Sequence, residues 1–487
     1  MAILSSIHAT QAFFLSGAFK KVFPNRLLVI EHSFGNSFFC HDVNFDPILE
    51  EELQKLENLM REWIKSDEPI TFKLWPKQKF IEKLYKFNSH SKLIIAKRWE
   101  GDQIPIAKFN GKYWDYMIEP LISNKPLLEK FELKKYNDGF LLRFATILNP
   151  DEVAPFLDQP KLFATMEEHQ KWSEILGIST IGDLNDAIDT GEIIELIWVA
   201  EGLHEKKISD IADEIVSGFP EKRVITIAGP SSAGKTTFSK RLKIQLRVNG
   251  YRSQTISMDD YFIDRELLPI GADGKQDFES IDGLDVDLLI DRLNALLDRK
   301  AIPERHFNFD LGIGKDTDKK LELGDWDFVI VEGIHGLNPK LTEKFGQDRV
   351  EKLYINAITQ MNIDANHRIS TSDNRLLRRL VRDNKFRGYL PEKTLERWAS
   401  VRLGEEKNIF PHSEEANLIF NSSLVYELPV LAKYARPLLK SVKGDDNVKR
   451  LAERLDLFLS FFANLDEKYV PGTSLLREYI GKSDFKY

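Results

Sequence analysis

The sequence predicts an α/β protein in which a parallel sheet occupies the C-terminal part and an α+β region precedes it. Apolar strand-like runs alternate with helix-like segments from Arg223 onward, which is the order that builds a parallel sheet covered by helices. Before residue 150, short runs are separated by turn signals, a pattern typical of antiparallel pairing. At 487 residues, the chain is too long for one hydrophobic core, so two or three domains are expected.

The composition is that of an ordinary globular protein and excludes several classes of function. The net charge of -8 argues against a general attraction to nucleic acid or anionic membranes. The single cysteine, Cys40, cannot form an internal disulfide and fits a reducing compartment. No apolar run in the sequence reaches the length of a membrane span. We therefore expect a cytoplasmic protein with no membrane partner.

Residues 1–150 are predicted to form an α+β domain. A helical pattern begins near Ile7 and ends at Pro24, because proline cannot continue a helix. The dipeptide at 110–111 is Asn-Gly, which favours a hairpin turn. The remaining predicted elements are strands at Leu27–Glu31, Asn36–His41, Lys130–Lys135 and Gly139–Phe144, and a charged amphipathic helix at Asp46–Ile64.

This first domain resembles the second additional, or editing, domain of threonyl- and alanyl-tRNA synthetases. The resemblance lies in a helix closed by proline and followed by the segment His32–Asp42. That family carries a His-x3-His pair and a later Cys-x3-His pair, which together act on a mischarged tRNA. Here His8 is present, but Ala12, Met117 and Leu121 stand at the other three positions. The resemblance implies a degenerate domain, so we expect a structural His8 and no tRNA binding.

Residues 151–220 are predicted to form a helical connecting region. Three prolines within 149–160 mark a linker at its start. Apolar periodicity then predicts helices over Leu162–Leu176, Asp183–Asp189 and Glu192–Val216. We expect this block to pack between the two domains.

The strongest signal in the chain directly follows the strand-like run Val224–Ala228. The segment matches the phosphate-loop pattern G-x4-G-K-S/T, in which glycines let the backbone approach a phosphate. Backbone N–H groups can then form an anion nest at the start of the next helix. Lys235 supplies a cation for the β- and γ-phosphates, and the Thr236 hydroxyl is a ligand for Mg²⁺. The predicted nucleotide-binding residues are Gly229, Ser231, Ser232, Ala233, Gly234, Lys235, Thr236 and Thr237.

Further strands are predicted to complete the sheet of this second domain, which we assign to residues 221–430. Asp259 and Glu332 follow two of them at their carboxyl ends, where ligands bind in open α/β sheets. Both carboxylates should therefore converge on the mouth of the phosphate loop. There Mg²⁺ must bind and a hydroxyl must lose its proton during phosphoryl transfer. The predicted strands are Arg252–Ser257, Asp327–Glu332, Lys352–Ala357 and Leu418–Phe420.

The phosphate loop, Ser257–Phe262 and Val331–Ile334 together resemble the uridine kinase and phosphoribulokinase family. The resemblance implies a phosphate-loop NTPase fold that uses ATP and Mg²⁺. It makes Asp259 the base for the acceptor hydroxyl, with Lys235 as a second catalytic group. It places Glu332 on the Mg²⁺ side, with Thr236 and Asp259 as the other metal candidates.

The same resemblance implies three groups of substrate contacts. Tyr261 or Phe262 should lie near the sugar, and Phe307 should be the aromatic residue beside the base. An acidic segment holds the ribose hydroxyls in that family, and 277–285 takes its place here. Glu279 is the first choice within it, with Asp277 and Asp282 as alternatives. The other reading of this segment is a loop with a helix N-cap.

An arginine-rich stretch resembles the lid helix of that family. Arg375, Arg378, Arg379 and Arg382 fall at spacings that place them on one broad helix face. Guanidinium groups suit phosphate oxygens and the charge of the transferring group. The resemblance makes Arg378 catalytic and assigns Arg375 and Arg387 to the substrate. A solvated helix face is the alternative. His335 either lines the pocket or is an ordinary loop residue.

From these features we expect ATP-dependent phosphorylation of the 5′-hydroxyl of a uridine- or cytidine-like nucleoside. Residues 431–487 are predicted to be C-terminal helices that cap the domain. One alternative is a kinase of another small hydroxyl metabolite, of the sugar phosphate or pantothenate type, because a fold does not fix a substrate. Another is an RNA-associated protein with a regulatory nucleotide site. The sequence leaves the base preference and assembly into a homo-oligomer open.

Overall fold

The fold is known from a computed structural model, which describes residues 2–86, 89–111, 113–271, 276–359 and 361–487. Lys112, which follows the predicted turn at 110–111, lies outside the described residues. Among the described helices, none has both the length and the apolar character that a membrane span needs.

The N-terminal domain consists of two antiparallel sheets and the helices that cover them, as the sequence predicts. One sheet has the strand order β1-β2-β7-β6 and the other has the order β3-β4-β5. The elements are α1 (Ala2–Val22), β1 (Leu28–Ser33), β2 (Ser37–Asp42), α2 (Glu50–Lys65), β3 (Thr71–Pro76), α3 (Lys77–Lys86), α4 (His90–Arg98), β4 (Gln103–Phe109), β5 (Tyr113–Tyr116), β6 (Phe131–Tyr136) and β7 (Gly139–Phe144).

The four positions compared with the editing domain lie in or against the N-terminal core. Ala12, Met117 and Leu121 pack against buried residues of α1, α2 and the sheets. The ring of His8 stacks on Phe144 with the ring centres 3.7 Å apart, and its Nε2 lies 2.9 Å from the carbonyl oxygen of Ala145. Burial lowers the pKa of His8 to about 4. This packing is that of a structural histidine, as expected, while the likeness of this region to an editing domain stays a prediction.

The connecting region is helical over the predicted segments, as α5 (Pro160–Leu176), α6 (Ile181–Thr190) and α7 (Ile193–Ser217). The start of α6 has a capping box: the Thr180 side chain accepts the N–H of Asp183, whose carboxylate accepts the N–H of Thr180 at 2.8 Å. Buried residues of α6 and α7 share one core with α4 on one side and with the C-terminal sheet on the other. The same core includes Ile104 and Ile106 of the β3–β4–β5 sheet. The block therefore packs against both parts of the chain, and the domain boundaries stay a prediction.

The C-terminal domain contains a five-stranded parallel sheet of order β16-β13-β8-β12-β9. The strand before the phosphate loop lies at the centre of this sheet and is buried at every residue. The elements are β8 (Val224–Ala228), α8 (Lys235–Val248), β9 (Arg252–Ser257), α9 (Val286–Leu297), β10 (Ile302–Asn308), β11 (Ile313–Leu321), β12 (Asp327–Glu332), α10 (Pro339–Phe345), β13 (Val350–Asn356), β14 (Asn362–Asp364), β15 (His367–Arg368), α11 (Thr371–Arg387), α12 (Pro391–Asn408), β16 (Leu418–Asn421), α13 (Glu427–Lys440), α14 (Asp446–Leu459) and α15 (Arg477–Ile480).

A short hairpin, β14–β15, connects the sheet to α11 and docks on the N-terminal domain. The N–H of Ile30 in β1 donates to the carbonyl of Ala365 at 2.8 Å, and the side-chain amide of Asn362 donates to the carbonyl of Ile30 at 3.0 Å. The hydroxyl of Tyr116 donates to the buried carboxylate of Asp364 at 2.6 Å. The N-terminal domain thus holds the segment that leads into the arginine-rich helix.

Candidate active site

The phosphate loop has the backbone that an anion nest requires. Ser232 and Gly234 both adopt left-handed conformations, with φ of 58° and 88°, and such residues turn successive N–H groups toward one point. At Gly229 a side chain has no room, because a Cβ would lie 2.1 Å from the carbonyl oxygen of Ile355. Glycine is thus required where β8 passes β13 and enters the loop.

The side chain of Lys235 reaches back across the phosphate loop to the first residues of that loop. Its Nζ donates to the carbonyl oxygens of Gly229 at 2.7 Å and Pro230 at 3.3 Å. Burial lowers its pKa, and the charges of Asp259 and Glu332 oppose that shift more than any others. Both acids lie at the carboxyl ends of β9 and β12, the edge of the sheet at which the sequence predicts them.

Glu332 and Thr236 offer hard oxygen ligands side by side. The Thr236 hydroxyl donates to Glu332 Oε1 at 3.3 Å. Glu332 Oε2 is buried and has no hydrogen-bond partner among the described residues, and burial raises the pKa of this carboxyl. An orphaned buried oxygen of this kind fits a divalent cation. The residues that the structure describes contain no group of three or more acidic, histidine or cysteine ligands, and Mg²⁺ commonly binds with one or two carboxylates plus phosphate oxygens.

Asp259 lies in a 3₁₀ turn, Met258–Tyr261, immediately after β9. Its side chain reaches solvent, yet protein surrounds it closely enough for desolvation to raise its pKa. Lys235 and Arg387 act in the opposite direction on the same carboxyl. This is the environment of a group within a cleft, and a raised pKa suits a carboxylate that must accept a proton.

Glu279 is the member of the acidic segment that faces this cleft. Burial raises its pKa to about 7, and the charges of Glu405 and Asp259 add to the rise while Arg379 opposes it. Asp277 is used locally, since its Oδ1 accepts the N–H of Glu279 at 2.9 Å. Asp282 pairs with Lys340 at the surface, 2.6 Å away. The structure therefore separates the three candidates that the sequence left open.

The arginine-rich helix departs from the predicted open lid. Arg375 is 1% exposed, and its guanidinium forms a two-point ion pair with Glu405. Arg378 is 0% exposed and donates to Glu427 at 2.7 Å and to the carbonyl of Ser422 at 2.8 Å. Because a buried guanidinium requires a counter-charge, both side chains point into the protein rather than over the site.

These two arginines brace the phosphate loop from behind. Arg375 Nη1 donates to the carbonyl of Ser231 at 3.1 Å, and Arg378 Nη1 donates to that of Ser232 at 3.3 Å. The outer arginines of α11 lie nearer the cleft: Arg379 donates to the Ser231 hydroxyl at 2.8 Å, and the side chain of Arg387 is 53% exposed. The sequence predicts that Arg378 is catalytic and that Arg375 contacts the substrate. The structure instead places both side chains behind the phosphate loop, where they position its backbone.

The aromatic residues expected at the substrate, Tyr261 or Phe262 near the sugar and Phe307 beside the base, are also in the core. Tyr261 is 2% exposed and its ring faces the guanidinium of Arg292, 5.7 Å away. Phe307 is 1% exposed and packs on Phe262 and Phe309. Both belong to the apolar layer between β9, α9 and the β10–β11 hairpin. Neither ring is therefore free to stack on a base, and His335 is likewise buried.

Sequence reasoning missed three glutamates that contact the loop or its braces. Glu405 Oε1 accepts the N–H of Ser231 at 2.9 Å; burial alone would raise its pKa, but Arg375 lowers it. Glu427 neutralises Arg378. Glu478 accepts the hydroxyl of Thr237 at 2.6 Å. Glu405 and Glu478 lie more than 170 residues along the chain from the loop residues that they contact. Glu427 lies 49 residues from Arg378. No local sequence pattern therefore indicates these three contacts.

Comparisons with known proteins agree with this geometry. The model of the phosphoribulokinase/uridine kinase family matches residues 224–427. A curated relative, uridine kinase of Staphylococcus aureus strain JH9, is 28% identical over 198 residues, which cover 40% of this chain and 86% of the relative.

Two solved structures are also similar to part of this chain, with low TM-scores. A "possible uridine kinase" from Bacillus stearothermophilus has a TM-score of 0.29 at 18% identity and covers 44% of this chain and 98% of its own. D-glycerate 3-kinase from Cryptococcus neoformans var. grubii has a TM-score of 0.24 at 14% identity and covers 52% of this chain and 87% of its own. The family match and the curated relative, together with the geometry of the loop, lead to one conclusion. The C-terminal part of the chain forms a phosphate-loop kinase domain of the phosphoribulokinase/uridine kinase family.

Proposed function

We propose that the chain is an ATP-dependent kinase that transfers a phosphoryl group to a hydroxyl of a small acceptor. The observation that carries this proposal is the placement of Asp259 and Glu332 at the carboxyl ends of β9 and β12, on the side of the sheet next to β8, with Glu332 Oε1 3.3 Å from the Thr236 hydroxyl of the phosphate loop. A carboxylate beside such a loop can accept the proton of an attacking hydroxyl, while the cation and the loop N–H groups hold the phosphates.

In this mechanism Asp259 orients the acceptor hydroxyl and takes up its proton. Lys235 leaves the carbonyl oxygens of its own loop to contact phosphate oxygens. Arg379 and Arg387 lie at the cleft, where their charges can balance that of the transferring group. Thr236 and Glu332 would hold Mg²⁺, which when bound neutralises phosphate charge.

A nucleoside with a free 5′-hydroxyl is the first acceptor that we propose. The curated relative named uridine kinase supports this choice, since its similarity covers the same domain. A second candidate, another small hydroxyl metabolite, is favoured by one observation: Tyr261 and Phe307 are packed in the core and offer no surface for a base.

A panel of acceptors would separate these candidates. ATP consumption is followed with uridine, cytidine, a sugar phosphate, pantothenate and glycerate, each with wild type and with Asp259→Asn. Turnover with a nucleoside alone supports the first acceptor, and turnover with another hydroxyl compound alone supports the second. No Asp259-dependent turnover with any of them, in protein that binds ATP, would count against the kinase proposal.

Glu279 gives a prediction about pH that needs no substrate. Its folded pKa of about 7 lies above the ordinary value of 4.5, so the folded state binds a proton more tightly than the unfolded state. Stability from this group is therefore complete below pH 4.5 and is lost as pH rises through about 7. The loss is at most about 3 kcal/mol. Urea unfolding of wild type and Glu279→Gln at several pH values should show the variant gaining relative stability from pH 5 to 8. Glu453→Gln, an exposed substitution, should show no such trend.

A further inference from the structure

The C-terminal segment 474–487 lies directly against the phosphate loop. Leu475 packs so closely on Gly234 that a Cβ on the glycine would come within 2.2 Å of Leu475 Cδ2. The hydroxyl of Tyr479 donates to the carbonyl of Ser232 at 3.0 Å. The loop is thus covered on this side by the chain's own C-terminal segment.

Within this segment, Glu478 takes donors that belong to the first turn of α8. Its Oε2 accepts the N–H of Thr237 at 3.2 Å and the Thr237 hydroxyl at 2.6 Å. The Tyr487 hydroxyl lies 2.7 Å from the same hydroxyl oxygen. N–H groups of a first helical turn have no partner within the helix, and after a phosphate loop they face bound phosphates. The carboxylate therefore occupies an anion position of the nucleotide site.

The charge of Glu478 also acts on the central groups of the site. Burial is the largest influence on the pKa of Lys235 and of Glu332, and Glu478 raises both values through its charge. A triphosphate in the loop would add several negative charges beside this carboxylate. Like charges at such short range repel strongly where water is partly excluded. The two anions therefore compete for one place.

The same segment contacts the arginine-rich helix. The guanidinium of Arg378 lies 5.2 Å from the centre of the Tyr479 ring. Lys385 Nζ donates to the carbonyl of Ile480. A movement of Glu478 would thus change the contacts of this segment with α11, whose side chains brace the loop.

We propose that Glu478 is a displaceable internal ligand of the phosphate loop. Its carboxylate holds the donors of Thr237 and gives way to a nucleotide phosphate, which loosens residues 478–487. The proposal rests on the proposed function, because it requires the loop to bind ATP. Its consequence is that the segment lowers the affinity for ATP below what the loop alone would provide.

Calorimetric titration with ATP tests the competition. Glu478→Ala is expected to lower the Kd for ATP about tenfold, which equals about 1.4 kcal/mol. Glu478→Gln should have a smaller effect in the same direction, because its amide oxygen can still accept a hydrogen bond. Glu453→Gln, which removes an exposed charge on α14, should leave Kd unchanged. A Kd in Glu478→Ala equal to or weaker than that of wild type overturns the proposal.

Hydrogen exchange of the wild-type protein tests the displacement itself. Amides of 478–487 should exchange faster with ATP than without it, whereas slower or unchanged exchange would show that Glu478 is a fixed anchor and would overturn the proposal. If neither wild type nor Glu478→Ala binds ATP, the proposed function fails and this inference with it. If both bind ATP equally and transfer phosphate, only this inference fails.

Discussion

Replacing Asp259 by asparagine is expected to lower kcat by about 10²–10⁴-fold, the range of a positioned general base. The amide is nearly the same size but cannot take up the proton of the acceptor hydroxyl. The cleft position of the carboxyl, beside Lys235 and with a raised pKa, is the physical reason. Initial rates of ATP consumption at saturating acceptor measure the effect. Raising the Mg²⁺ concentration should not restore the rate if the loss is that of a base.

Asp260→Asn is the matched control for this change. Asp260 is the next residue, but its Oδ1 accepts the N–H of Phe307 at 3.1 Å and lies 3.3 Å from His306 Nδ1. It therefore fastens the β10–β11 hairpin and does not face the phosphate loop. We expect it to reduce kcat by less than about tenfold, because a typical hydrogen bond contributes only about 1 kcal/mol. Near-normal kcat in a well-folded Asp259→Asn variant would refute the role of Asp259.

Arg378→Ala is expected to lower the free energy of unfolding by about 3–5 kcal/mol, the usual cost of removing one partner of a buried ion pair. Arg378 and Glu427 are 0% and 1% exposed, so the remaining carboxylate would be left unpaired in the interior. The carbonyl oxygens of Ser422 and Ser232 would also lose a donor. Urea unfolding followed by circular dichroism measures the effect.

Arg387→Ala is the matched comparison, because the ion pair that it removes is weak. The Arg387 side chain is 53% exposed, and its nearest nitrogen lies 3.7 Å from the Asp383 carboxylate, beyond hydrogen-bond distance. Its removal should change stability by less than about 1 kcal/mol, while the loss of a cation near Asp259 should reduce turnover. An Arg378→Ala variant with unchanged stability and greatly reduced kcat would reverse this assignment and make Arg378 a catalytic residue.

The strands of the central parallel sheet could be predicted closely, because their apolar patterns are local, whereas the β10–β11 hairpin was not predicted. Arg252–Ser257 and Asp327–Glu332 match the strands β9 and β12 residue for residue. Phe238, Leu242 and Leu246 are fully buried on one face of α8. The strand β3 was also missed. Its apolar residues Phe72 and Leu74 alternate with polar ones, yet in the structure both are exposed and only Trp75 in it is buried.

The sequence did not predict which way the side chains point on elements whose positions it predicted correctly. The helix Thr371–Arg387 carries the predicted arginines, yet which of them faces the cleft depends on Glu405 and Glu427. Those acids lie on other elements, and their pairing turns Arg375 and Arg378 inward. In the same way, Tyr261 and Phe307 follow the expected pattern in the chain but are buried by the hairpin that covers β9.

The sequence alone determined the phosphate loop, the central parallel strands and the two acids at their carboxyl ends. Those features depend on a short motif and on residues that parallel strands must bring to one edge. Only the tertiary structure decided that two of the arginines are braces, that Glu279 faces the cleft, and that Glu478 reaches the loop from the other end of the domain. The physical reason is that buried charges take their partners from wherever the fold supplies them, and such long-range pairs leave no local signal in the chain.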